Sequence, residues 1–503
     1  MKNKRGLFIM TGAVLLCLLL GVYFCLKKQN EVETATTETQ EEEAETIVSV
    51  PEEDIKNITF QMDGQSVTWT KEETGWTMSQ DENFPVDSDA MTQLVSELAS
   101  ISVNRTLEDV NNRDDYGLED PINVIKIEKT DDSTEVITVG TKNPSTGDTY
   151  ICVGDDKNTV YTVSNDLGDT FSCSIYDLAV SEAYPTITGT TIKKIQVDKK
   201  DNSYTVESDE DSSTGWYVED NSGDKKEADA TNTGTLQSTI AGLTYKGYYN
   251  YDCKDWSEYG LDKPKMTIRV DYTEQVTTDV TDDEADNADS QDENSTDADS
   301  VTENVTDMES ETEAVEKTLT LYVGSLGEDG NYYVRLGNSQ EVHGMAQSAI
   351  DSLLNGKDFD YWKLSVESIA IDELKQLDVT YENKIYSLKR DVKEEESEDD
   401  SEETKTVTTY YVNDEEADSD AFMKFYRNAQ NMVCQRRLED YSTNNEPEIQ
   451  LEYYGNDGSV VTVSYISRDS NFYTMVDSEG NYGLVNKMNV KDLIDSLIKL
   501  VNK

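Results

Sequence analysis

The sequence predicts an α+β protein. An N-terminal transmembrane helix is followed by three repeated β-rich units, each an antiparallel sheet with one or two packed helices. Three observations predict it. The pattern Tyr-Gly-Leu-x-x-Pro occurs twice, as Tyr116-Gly117-Leu118-Glu119-Asp120-Pro121 and as Tyr259-Gly260-Leu261-Asp262-Lys263-Pro264, and recurrence of one pattern marks a chain assembled from repeats. Residues Gly6 to Leu26 carry no charge. Segments flanking each motif alternate apolar and polar residues with the period of two that belongs to strands.

The anchor comes first. A helix over Gly6–Leu26 would span about 31 Å, matching the hydrocarbon core of a bilayer. A cleaved signal peptide would need small residues at its end, but Phe24-Cys25-Leu26-Lys27-Lys28 is bulky and basic. A lipoprotein site would need a small residue before its cysteine, but Leu16 precedes Cys17 and Phe24 precedes Cys25. An uncleaved signal anchor is therefore expected over residues 1–28. Lys2, Lys4 and Arg5 outnumber Lys27 and Lys28, which favours a cytoplasmic N-terminus and an ectodomain outside the cytoplasm. Residues 29–50, rich in Glu and Thr, read as a flexible acidic stalk.

Three units follow. The first, 51–186, opens with Ile55–Phe60, continues through Ser66–Thr70 and Gly75–Met78, and then places Met91, Leu94, Val95 and Leu98 at helical spacing behind Asp87, Ser88 and Asp89 as candidate caps. After the first motif come strands Val124–Glu128, Val136–Val139, Tyr150–Val153 and Val160–Val163. The second unit, 187–362, repeats this order: Ile192–Val197 matches the opening strand, Trp216 matches Trp76, and Leu236, Ile240 and Leu243 mark the helix. Val323-Gly324 then answers Val139-Gly140. The third, 363–503, has diverged. Val366–Ile371 is its expected opening strand, Phe422, Phe425, Tyr426, Ala429 and Val433 its helix, and only Pro447 survives of the motif. A last amphipathic helix carries Val490, Leu493, Ile494, Leu497, Ile498 and Val501. Residues 274–316, with 17 acidic and no basic residues, and the shorter acidic run 393–404 read as disordered loops. No Asp-x-Asp-x-Asp-Gly loop supports calcium chelation there.

Composition restricts function. With 104 acidic against 43 basic residues the net charge is −61, which excludes nucleic acid as a partner because phosphate binding needs a basic surface. Cys152, Cys173, Cys253 and Cys434 are scattered and read as reduced thiols, with a Cys152–Cys173 disulfide as the alternative. The single histidine, His343, argues against His-based catalysis and against zinc; it reads as a strand-end residue. Gly-x-Ser-x-Gly and the phosphate-binding glycine loops are missing from the sequence, and no carboxylate pair stands out among so many acids. No catalytic, cofactor or metal residue is assigned. The residues singled out are structural: Tyr116, Gly117, Leu118, Pro121 and Tyr259, Gly260, Leu261, Pro264. In each set Gly permits a positive φ and Pro fixes entry to the next strand. Tyr245, Tyr248, Tyr249, Tyr251 and Trp256 cluster before the second motif. They read as sheet packing, with stacking on cell-wall glycan as the alternative.

An N-terminal anchor, an opening Ile-x-x-Ile strand, a Gly-Trp strand, a helix, Tyr-Gly-Leu-x-x-Pro, then Val-Gly, Tyr150-Ile151-Cys152-Val153 and Val160-Tyr161-Thr162-Val163 together resemble the bacterial family called domain of unknown function 4340. The resemblance covers residues 51–355 and is clearest from Asp54 to Val197; residues 363–503 match only as a diverged repeat. It implies a membrane-anchored extracytoplasmic protein, often encoded beside ABC-type export permeases of the gliding-motility kind, and no known catalytic residue. The expected function is thus a non-enzymatic accessory or scaffold subunit of an ABC-type transport system. Its expected partners are the lipid bilayer, through Gly6–Leu26, and transport permease subunits. The alternative is a cell-wall or glycan-binding module.

Overall fold

The computed structural model describes residues 45–279, 310–396 and 404–502. The proposed anchor Gly6–Leu26, most of the stalk and the centres of both acidic runs lie outside the described residues. The chain divides into two compact units, Met1–Val180 and Ser181–Lys503. The first contains one nine-stranded antiparallel sheet and the second contains two. Six α-helices accompany them among the described residues.

All three sheets share one order of eight strands. Numbered within each unit by chain order, the strands lie side by side as fourth, eighth, seventh, sixth, fifth, first, second, third. In the first unit these eight are Ile55–Met62, Gln65–Glu72, Gly75–Met78, Ile101–Leu107, Asn123–Lys129, Thr134–Lys142, Thr149–Val153 and Val160–Val163. In the second they are Ile192–Lys199, Tyr204–Ser208, Trp216–Asp220, Gly247–Asn250, Met266–Asp279, Ser310–Leu326, Asn331–Leu336 and Val342–Ala346. In the third they are Leu374–Tyr381, Lys384–Glu396, Thr404–Val412, Arg436–Leu438, Ile449–Gly455, Val460–Ser467, Phe472–Asp477 and Tyr482–Asn486. The ninth strand is Thr46–Val48 beside the fourth strand in the first sheet. In the others it is Lys225–Glu227 or Glu415–Glu416 beside the third.

The first and fifth strands form the seam of every sheet. Ile58 faces Ile127, Ile195 faces Val270 and Leu377 faces Tyr453 across it, and all six are buried. Each first strand alternates buried and open positions, as in Ile55–Met62, so one face of the sheet packs on the core and the other meets water. The helix between third and fourth strands covers the apolar face. Asp87 caps the helix Ser88–Ser96 by accepting the N–H groups of Asp89 and Ala90. Asp229 and Asp418 cap its counterparts Ala230–Ala241 and Ser419–Gln430 in the same way. In the third unit, helix Lys487–Val501 adds Val490, Leu493, Ile494, Leu497 and Leu500 to the core. All six sheet-edge strands are short, four residues at most, which limits edge-to-edge association.

Four expectations need correction. The stalk does not run to residue 50: Thr46–Val48 pairs with Ile101–Leu107, and Val48 and Val50 are buried. Residues 274–279 and 310–316 are not loop. They extend the fifth and sixth strands into a continuous ladder from Met266↔Val323 to Asp279↔Ser310. The ends of the 393–404 run are also strand, with Glu396 paired to Thr404. Like charge does not prevent a ladder when alternate side chains reach water and Thr and Val supply β-propensity. Finally, Val366–Ile371 is not the opening strand of the third unit, which begins at Leu374. The Val366 N–H is taken by the carbonyl of Met432, so the segment is fastened to the end of a helix and not to the sheet.

The two Tyr-Gly-Leu-x-x-Pro motifs enter the seam. Gly117 ends the 3₁₀ turn Asp114–Tyr116 and Gly260 ends Trp256–Tyr259, both at φ +67°. The Leu118 N–H then bonds Arg113 O, and the Leu261 N–H bonds Trp256 O. The residue after each proline opens the fifth strand. Ile122 N–H reaches Val139 O at 2.9 Å and Lys265 N–H reaches Val323 O at 2.8 Å. The third unit keeps this bond alone, from Glu448 to Tyr465 at 2.9 Å. Counting from it, Ile466 stands where Gly140 and Gly324 stand in the other units. A Cβ on Gly140 would lie 2.2 Å from Tyr116 O, and one on Gly324 would lie 2.2 Å from Tyr259 O. The motif therefore requires glycine in the facing strand, and the unit that lost the Tyr-Gly-Leu turn carries isoleucine there.

Two substitutions test this docking. Gly140→Ala and Gly324→Ala should each cost about 2–3 kcal/mol by overpacking against the turn carbonyl. Gly234→Ala should instead stabilise by about 0.5–1 kcal/mol, because its added Cβ meets nothing within 4 Å inside a helix. Denaturant melts of the three variants measure the difference. Wild-type stability in Gly140→Ala would mean that the turn does not pack as described.

Candidate functional site

The residues singled out from sequence occupy equivalent places. Tyr116 and Tyr259 are half-buried, Leu118 and Leu261 buried, and Pro121 and Pro264 half-buried. Tyr116 meets Tyr150 edge-to-face at 4.9 Å, and Tyr259 meets Tyr333 at 5.0 Å. Leu118 packs with Cys152 and Val160, and Leu261 with Cys253 and Val342. Each copy is thus a small satellite core under its own sheet. Every side chain in it has an apolar or aromatic neighbour, which is the arrangement of a turn held by packing. The four cysteines of the described residues are free thiols, Cys173 half-buried and the others buried. Burial pushes the thiols of Cys173 and Cys434 up to about 11, so they are poor nucleophiles at neutral pH.

The densest polar chemistry surrounds His343, the residue that sequence reading took for a strand-end position. Its eighth strand, Val342–Ala346, pairs with the fourth, and His343 faces Tyr248 across that ladder. The side chain is 1% exposed. The ring of Tyr245 stacks on the imidazole at 3.8 Å and 11°, and that of Tyr248 at 4.6 Å and 9°. Two nearly parallel rings at these distances must lie on opposite faces, because on one face they would overlap. The imidazole is therefore the middle layer of a three-ring stack.

Carboxylates close the edge of that stack. His343 Nε2 donates to Glu341 Oε2 at 2.8 Å, since a carboxylate can only accept. The Glu182 N–H donates to the same oxygen at 2.9 Å. The Tyr245 hydroxyl donates to Glu182 Oε1 at 3.2 Å, and that oxygen lies 3.9 Å from His343 Nε2. Burial, and then the charge of Glu182, holds the Tyr245 phenol far above its ordinary value, so it acts as a neutral donor. Tyr184 meets Tyr245 edge-to-face at 5.3 Å, and its buried hydroxyl has no partner among the described residues.

Glu182, Glu341 and His343 form the one trio among the described residues whose donor atoms converge closely enough to hold a metal ion. The nitrogen and oxygens are of the kind that bind zinc or another divalent cation. Metal binding would require Nε2 to release its proton and its bond to Glu341. As it stands, the donors and acceptors of the trio satisfy one another, and the arrangement is a hydrogen-bonded unit around a buried imidazole with two half-buried carboxylates. Sequence reading missed it because Glu182 and Glu341 lie 159 residues apart among 104 acids. The aromatic half was visible: Tyr245 and Tyr248 pack on His343, Tyr249 meets Tyr333 at 5.0 Å, and Trp256 lies under the Arg335 guanidinium at 4.4 Å.

Comparison with known proteins agrees with the resemblance read from the sequence. Residues 76–264 match the model of the family described as Domain of unknown function (DUF4340). The match begins at Trp76, in the third strand of the first unit, and ends at Pro264, before the fifth strand of the second. It therefore covers one full period, from Trp76 to its equivalent Trp216, and continues through the helix and turn motif of the second unit. No curated protein and no solved structure matches the chain.

The role of His343 can be measured by stability. His343→Ala should cost about 2–4 kcal/mol, since it opens a cavity between two aromatic rings and removes a donor from Glu341. His343→Phe keeps the stack and loses only the hydrogen bond, so it should recover roughly half of that. Thermal melts of both variants decide; equal melting of His343→Ala and wild type would show that the stack carries no stability.

Proposed function

We propose that this chain, which belongs to the domain of unknown function 4340 family, is a non-enzymatic, single-pass membrane protein whose ectodomain lies outside the cytoplasm. It acts there as an accessory or scaffold subunit of an ABC-type transport system. The observation that carries this reading is the uncharged run Gly6–Leu26 between Lys2, Lys4, Arg5 and Lys27, Lys28, set ahead of three successive sheets of one design. The run has the length and flanks of a signal anchor. Among the described residues no helix is long and apolar enough to cross a membrane, so anchoring rests on that run.

Tandem repetition supports a scaffold role. Repeating one supersecondary unit multiplies surface without adding chemistry, and repeat proteins characteristically use such surfaces to bind partners. The glycan-binding alternative drew on Tyr245, Tyr248, Tyr249, Tyr251 and Trp256. Four of those rings are engaged with His343, Tyr333 and Arg335, which supports packing over stacking on sugar.

Topology and partner can be tested separately. Protease added to intact, wall-stripped cells should digest the mass C-terminal to residue 45 and leave an anchored N-terminal fragment; complete protection would overturn the topology. Affinity capture of the full chain from detergent-solubilised membranes should retain an ABC permease and its ATPase. Sedimentation with purified peptidoglycan, without the permease, would favour the glycan reading.

A further inference from the structure

The hydrogen bonds of the Glu182, Glu341 and His343 trio are satisfied, but its charges are not balanced. The carboxylates of Glu182 and Glu341 are 29% and 21% exposed, and among the described residues no Lys or Arg forms an ion pair with either. The imidazole is the one group facing them that can carry positive charge, a single charge at most against two. The Glu182 N–H and the Tyr245 hydroxyl, which also reach these oxygens, are neutral dipoles. Two carboxylates drawn partly out of water without matching positive charge are costly, and a divalent ion answers both at once. The single histidine argued against zinc in the sequence, but the fold makes up the set with a carboxylate brought from 159 residues away.

The donors are spaced for such an ion. Ligand atoms held about 2.0–2.1 Å from zinc in tetrahedral geometry lie roughly 3.3 Å from one another. His343 Nε2 lies 2.8 Å from Glu341 Oε2 and 3.9 Å from Glu182 Oε1, and no two of the three donor atoms are more than 4.8 Å apart. The two separations that involve the imidazole fall on either side of the required one, so each needs a shift of only about half an ångström. The ring is preset by Tyr245 and Tyr248, which hold its plane from both faces. Its bond to Glu341 already points Nε2 along the line that a ligating nitrogen takes. The Tyr245 hydroxyl orients Glu182, the kind of outer bond that steadies a metal ligand. The partly open carboxylates give the ion a way in to a buried nitrogen.

We propose that Glu182 Oε1, Glu341 Oε2 and His343 Nε2 bind one divalent transition-metal ion of the zinc type, with water completing the tetrahedron. The ion binds the neutral ring through Nε2, and the ring proton sits on Nδ1. An imidazole nitrogen beside carboxylate oxygens selects this class, because magnesium and calcium prefer shells of oxygen alone. Glu182 stands at the start of the second compact unit and His343 on the strand Val342–Ala346, so the ion ties the entry of that unit to its sheet. The site is independent of the anchor and of any transport partner.

Nuclear magnetic resonance on the full chain in detergent tests this. His343 is the only histidine, so isotope-labelled histidine reports this ring alone, free of metal held by the many surface acids. Zinc chloride should replace the ring signal by one new signal in slow exchange, complete at one equivalent, whereas excess magnesium or calcium should leave it in place. Competition with a chelator, read at the same signal, gives the affinity. Glu182→Gln and Glu341→Gln keep the shape of each side chain and should each weaken zinc by about 100-fold, whereas Tyr245→Phe should weaken it by about tenfold. Should a variant fail to fold, the wild-type signal still decides. A ring signal that stays unchanged while zinc binds the chain would assign the metal to the acidic surface and overturn the site. So would an equal response to calcium, or wild-type affinity in both glutamine variants.

Discussion

Every sheet in this protein depends on one long-range pairing, that of the first strand with the fifth. The hairpins on either side of it are local and form from neighbouring segments. The seam joins them only after a helix, an edge strand and a turn have been traversed, so the entropy of closing that loop must be offset by what the seam buries. Ile58 on Ile127, Ile195 on Val270 and Leu377 on Tyr453 supply buried apolar area at that place in each unit. The Tyr-Gly-Leu-x-x-Pro turn aims the chain into it. Gly117 and Gly260 take up the left-handed conformation that reverses the backbone, and the residue after proline makes the first bond of the fifth strand. The third unit retains the proline bond and has lost the turn, which shows that entry to the strand, and not the satellite core, is the part common to all three.

Buried polarity is best connected around His343. Around His343 the donors and acceptors satisfy one another: Nε2 on Glu341, the Glu182 N–H on Glu341, and the Tyr245 hydroxyl on Glu182. Such a network fixes the position of the segment that carries Glu182, because removing one member would leave buried groups unpaired.

Much of the fold was legible in the sequence because its determinants are local. The helix over Ser88–Ser96 follows from the spacing of Met91, Leu94 and Val95 behind Asp87, and the positive φ of Gly117 and Gly260 from the residues on either side. The acidic runs misled for an equally physical reason. Charge density forecasts solvation, but an acidic segment that also carries Thr and Val can still pair as a strand, as Glu274–Asp279 does with Ser310–Val315.

By itself the sequence determined the repeat, the strand alternation, the helix caps and the glycine–proline turns, since each depends on residues within a few positions of one another. Only the tertiary structure decided which strands became neighbours. It placed the short strand Thr46–Val48 against Ile101–Leu107, brought Glu182 to Glu341 and His343, and set Gly140 and Gly324 beneath a carbonyl that excludes any side chain. These outcomes hang on register between distant segments, and register is set by the whole buried face at once, so no local pattern records it.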